Sequence, residues 1–74
     1  MNESDWRQRI VCEPDLHHGE PCIRGTRIPV SMLVASLADI SMEELLSEYP
    51  QLNREDIQAA LLYAAEAAHN TLVA

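Results

Sequence analysis

A chain of 74 residues makes one small domain, near the lower limit for a self-sufficient core. Twelve acids against five cations, all arginine, leave a formal net charge of −7. A domain that grips duplex phosphates normally has the opposite balance, so the charge points to a protein partner. With no Phe, one Trp and two Tyr, the core falls to Leu, Ile, Val, Met and Ala. Such side chains bury little area each, at roughly 25 cal/mol per Å², and dimerisation is expected from size alone.

No apolar run reaches membrane-spanning length, and the polar start Met1-Asn2-Glu3-Ser4-Asp5 is not a signal peptide. The expected setting is the cytoplasm, with Cys12 and Cys22 as free thiols. One domain over residues 1–74 is expected, with a fraying arm over 1–9, a β element and loop over 10–28, and a three-helix body over 29–70. Trp6 stands out in the arm. A lone aromatic there docks either on its own core or on a neighbouring subunit.

Arg9-Ile10-Val11-Cys12 has the β-branched character of a short strand, which Pro14 ends. Arg24-Gly25, between Cys22-Ile23 and Thr26-Arg27-Ile28, reads as a hairpin turn, with Gly25 free to take a positive φ. Pro29 then holds Ile28 extended and opens a helix. That helix is predicted from about Val30 to Asp39, where Val30, Leu33, Val34 and Leu37 follow the i, i+3, i+4, i+7 pattern. A second begins with a capping box, Ser41 to Glu44, with Ile40 and Leu45 spaced as a hydrophobic staple. It carries Met42, Leu45, Leu46 and Tyr49 on one stripe and stops before Pro50. A third runs from Arg54 to about Asn70. Asn53 caps it, Leu52 staples to Ile57, and Asp56 makes an imperfect box because it is shorter than Glu.

The third helix has two apolar stripes: Ile57, Ala60, Leu61, Ala64 and Ala68, then Leu62, Ala65, His69 and Leu72. No charge lies between Gln58 and Glu66, too apolar for a helix with one wet face. The second stripe, together with Trp6, is the expected dimer interface.

These residues carry a resemblance. Gly19-Glu20-Pro21-Cys22-Ile23-Arg24-Gly25-Thr26-Arg27-Ile28-Pro29-Val30 resembles the G-K-P-x-I-x-G-T-R-I-x-V signature of the domain-of-unknown-function 433 family. Leu46-Ser47-Glu48-Tyr49-Pro50-Gln51-Leu52 and Glu55-Asp56-Ile57-Gln58-Ala59-Ala60-Leu61-Leu62-Tyr63-Ala64 resemble its second signature. The likeness covers about residues 10 to 68. It implies a mainly α fold, a homeodomain-like three-helix bundle behind a short N-terminal β element, and no catalytic residues. Many members are encoded beside a PIN-like nuclease toxin and are on that ground taken for its antitoxin. Glu20 departs from the Lys that the family often has.

Three sites are candidates. Arg24, Gly25, Thr26 and Arg27 form a turn that would present guanidinium groups to the acidic metal site of a PIN-like nuclease. The competing reading is intrachain pairing, for instance Arg27 with Glu20 or with a helix acid. Helices two and three have helix-turn-helix lengths, which would place Arg54 and Gln58 in a DNA groove, but beside Glu55 and Asp56, which phosphates repel. Cys12, His17, His18 and Cys22 match no familiar zinc spacing, so no metal and no cofactor are expected. Cys22 and His18 are residue types used in nucleophilic catalysis, yet so small a chain has scant room for a cleft, and Glu43, Glu44, Glu55 and Asp56 read as helix-start acids. The expectation is a non-enzymatic, protein-binding antitoxin-like module, with a DNA-binding regulator as the alternative.

Overall fold

The β-branched pair Ile10 and Val11 forms β1 (Ile10–Val11), antiparallel to β2 (Cys22–Ile23), with Ile10 opposite Ile23 and Val11 opposite Cys22. The computed structural model describes residues 6–14 and 19–73, with side chains up to Asn70. After β2 the chain reverses through Arg24-Gly25, where the Thr26 N–H donates to Ile23 O at 3.0 Å. Gly25 has φ +81°, and a positive φ at the third of four residues is the type II turn, which calls for glycine. The returning arm is reduced to a single bridge between Cys22 and Pro29. Proline has no N–H to extend the ladder, so β2 takes β1 as its regular partner.

The helices are α1 (Val30–Ser36), α2 (Met42–Glu48) and α3 (Arg54–Val73). Pro29 occupies the N-cap of α1, and the Val30 N–H donates to Pro21 O at 2.9 Å, so the hairpin satisfies the helix start. The end of α1 comes earlier than the predicted Asp39. Ala38 N–H and Asp39 N–H donate to Ala35 O and Ser36 O, three residues back, so the helix closes in a tightened turn. The Ser36 hydroxyl bonds back to Met32 O at 2.8 Å, a local competitor of regular helix.

Ser41 Oγ accepts from the Glu44 N–H at 3.1 Å, the predicted cap of α2. The box that opens α3 is complete, contrary to the expectation from its short Asp. Asn53 Oδ1 accepts from the Asp56 N–H at 2.9 Å, and Asp56 Oδ2 accepts from the Asn53 N–H at 3.1 Å. Each residue thus satisfies one donor of the other.

The core gathers Ile23, Ile28, Val30, Leu33, Leu45, Leu52, Ile57 and Ala60, with half-buried Ile10, Val34, Leu37, Ile40 and Leu46 around it. Both staple pairs belong to this cluster. Helix α1 is the main partner of α3. The arm departs from expectation at its inner end. Trp6 is buried at 4% exposure, the Arg9 N–H donates to Trp6 O at 3.1 Å, and Arg7 lies 4.6 Å from the Trp6 ring centroid while pairing with Glu66 of α3. Trp6 therefore docks on its own chain. That corrects its place in the dimer interface.

Candidate protein-binding surface

The arginine turn is built by Thr26. Its hydroxyl donates to Ile23 O at 2.8 Å and accepts from the Ile28 N–H at 3.1 Å, closing the loop on itself. Thr26 is thus a framework residue rather than a contact residue, while Arg24, Gly25 and Arg27 are exposed. The Arg24 Nε–H donates to Gln8 O at 2.6 Å and its backbone N–H to Arg9 O at 2.7 Å. One edge of that guanidinium is fixed, which lowers the entropy lost when it meets a ligand.

Sequence reasoning places Arg54 and Gln58 on a DNA-reading edge. Gln58 is exposed there. Arg54 instead bonds across to α2, with Nη2 donating to Glu43 Oε1 at 3.2 Å and Nη1 to Met42 Sδ at 3.0 Å. The backbone N–H at Glu43 and the Arg54 guanidinium hold the Glu43 carboxyl below its ordinary range. Exposed Glu55 and buried Asp56 share that first turn. Asp56, only 8% exposed, also accepts from Arg9 Nη1 at 3.0 Å, an arm-to-helix tie that spacing did not reveal.

Helix α3 buries Asp56, Ile57, Ala59 and Ala60, then emerges. Leu61 and Leu62 are 39% and 43% exposed, and Ala65, Ala68 and His69 lie outside with them. Leu61 and Ala68, expected on the buried stripe, therefore join the outer face. They sit about 80–100° round the helix from Ala60, beyond the arc that α1 covers. Leu62, Ala65 and His69, the residues expected to face a second subunit, are exposed on the outer face, and the side chain of Leu72 lies outside the described residues.

The inner arc of α3 also outruns its cover. Tyr63, Ala64 and Ala67 meet Pro21, Val30 and Val34 across an open apolar groove of about 420 Å³. Ala35, Ser31 and Glu20 complete it, with Ser31 Oγ donating to Glu20 Oε1. A smaller hollow of about 140 Å³ adjoins it through Tyr63 and Ala67 and includes Glu66. The groove escaped sequence reasoning, although its signal was present: the core-facing residues of α3 continue for two turns beyond the last large one.

Burial pushes the Cys22 thiol above its ordinary pKa, with Glu20, Cys12 and Glu13 adding to the effect. Burial does the same to the Tyr63 phenol, assisted by Cys12 and Glu66. Raised values mean that the folded state favours the neutral forms, so their stabilisation is complete below the unfolded pKa and is lost as pH rises through the folded one. The melting temperature is accordingly expected to fall above about pH 8.5, the ordinary thiol value, and to fall less steeply in Cys22→Ala. Parallel thermal melts from pH 7 to 10.5 check this, and equal slopes would refute it. Cys12 is exposed and Cys22 buried, both free. His17 and His18 lie outside the described residues, and among the described ones no three His, Cys, Asp or Glu side chains gather as metal ligands. No described helix is long and apolar enough to cross a membrane.

The sequence is 41% identical over 59 residues to an uncharacterized protein, y4eO, of Sinorhizobium fredii. That match takes in 78% of this chain but 27% of the relative, so the chain spans about a quarter of the length of that longer protein. The structure is similar to the 2.00 Å crystal structure of a DUF433 member protein from Anabaena variabilis, with a TM-score of 0.78 and 35% identity, covering 90% of this chain and 67% of that one. The family model described as protein of unknown function (DUF433) matches residues 10–64, from β1 into the middle of α3, and the chain belongs to that family.

Proposed function

We propose that this chain is a non-enzymatic, protein-binding module of the antitoxin kind, acting as a homodimer in the cytoplasm and masking a PIN-like nuclease. The observation that carries the protein-binding reading is the bare apolar face of α3, headed by Leu61 and Leu62, on a chain of net charge −7. Contiguous exposed apolar surface on so small a domain marks an interaction site. The nuclease as partner comes from the family resemblance, and the exposed Arg24 and Arg27 are the groups suited to a carboxylate-lined metal site.

The DNA-binding alternative has the helix lengths in its favour and the local charge against it. Arg54 is engaged by Glu43, and the rest of the first turn is acidic.

Co-expression with a PIN-like nuclease from the same locus tests the reading. A stable complex with suppressed nuclease activity is expected, weakened at least tenfold by Arg24→Ala/Arg27→Ala. Unchanged binding by that double variant would remove the arginine turn from the interface. Absence of any complex, with promoter DNA bound in a steeply salt-dependent way, would establish the alternative.

A further inference from the structure

The groove between α1 and α3 is distinct from both the arginine turn and the outer face of α3. We propose that it is the docking site for a basic amphipathic helix on the protein partner, an inference that rests on the protein-binding reading above. Its volume of about 420 Å³ suits a few anchoring side chains rather than an extended surface. The walls are apolar, and Ala64 and Ala67 on one side let a helix backbone come close. Helix-in-groove recognition works in this way, with anchors at i, i+3 and i+4 entering an apolar trough.

Charge selects the occupant. Glu20 is the charged side chain in the groove lining, whereas Glu66, in the adjoining hollow that shares Tyr63 and Ala67, is already paired with Arg7, so Glu20 and the net charge of the chain set the preference. Both sit on a molecule whose summed field is negative. A second copy is itself acidic and would meet Glu20 here, whereas Leu61, Leu62, Ala65 and Ala68 on the outer face of α3 are uncharged, so self-association belongs there. A helix with apolar anchors and flanking Lys or Arg matches both features.

The test is selection of a displayed library of random 16-residue peptides on the immobilised full chain, followed by titration of synthetic winners. Winners are expected to be net positive, with large apolar residues at helical spacing. Their dissociation constants should rise at least tenfold in Ala67→Arg and in Glu20→Lys, and stay within twofold in Leu61→Gln/Leu62→Gln. Ala67 is exposed, so Ala67→Arg leaves the fold intact, and circular dichroism verifies this. Neutral or acidic winners, winners indifferent to Ala67→Arg, or no winners at all would overturn the proposal. If a nuclease complex still forms through Arg24 and Arg27, only the groove assignment falls and the protein-binding reading stands.

Discussion

Asp56→Ala is expected to destabilise the fold more than any other single polar substitution among the described residues. One carboxylate does three jobs at a helix start: it accepts from the Asn53 N–H, sits on the positive end of α3, and receives Arg9 from the arm. Loss of a capping bond costs about 0.5–2 kcal/mol. Breaking a fully buried ion pair costs about 3–5 kcal/mol, and the pair here has to be discounted because the Arg9 side chain is 34% exposed, against 12% for the Asp56 side chain alone. The sum is about 2–3 kcal/mol, a large share of the ~5 kcal/mol that a small domain commands. For a domain of this length it lowers Tm by about 10–20 °C. Arg9→Ala should cost only ~1 kcal/mol, since the box survives it. A chemical-denaturation cycle over the two single variants and the double variant measures the coupling. A cost below ~0.5 kcal/mol for Asp56→Ala would show that water replaces all three partners.

Local signals in the chain were enough to place the elements, and the misses share a cause. Periodicity located Val30 and Leu33, and cap chemistry located both Ser41 and Asn53, because those preferences act within four residues. What adjacent residues cannot encode is how far one element extends past another. The arc of α3 that α1 covers decides that Leu61 is on the surface, and the length of α1 that Tyr63 and Ala67 line a groove. Trp6 and Arg9 failed as arm residues for the same reason. Trp6 is buried, which its neighbours in the chain do not foretell, and the side-chain partner of Arg9, Asp56, is 47 residues away. The arginine turn was readable because a glycine with positive φ is a local demand, whereas the framework role of Thr26 depends on which carbonyl happens to face its hydroxyl.

Leu61→Gln/Leu62→Gln is expected to turn a dimer into a monomer while leaving the monomer fold in place. Glutamine is nearly as good a helix former as leucine, so α3 itself loses little. Each leucine is about two-fifths exposed, and covering that fraction contributes about 1 kcal/mol on a scale of 1.5–3 kcal/mol for a whole side chain. A two-fold symmetric interface uses both residues from both copies, which makes about 4 kcal/mol, or roughly a thousandfold in the dimer dissociation constant. The alanines beside them matter in a different way. Ala65 and Ala68 leave the helix slim on this face, so two copies of α3 can approach closely and bring the leucines into each other's gaps. Sedimentation velocity over a hundredfold range of concentration reads the equilibrium directly. A wild-type chain that stays monomeric up to ~1 mM would remove self-association from the assignment, since an interface worth ~4 kcal/mol beyond the cost of pairing has a dissociation constant of about 1 mM and would be half populated there. Apolar helix surface would then be left to the nuclease, and the same double variant would lose the hetero-complex instead.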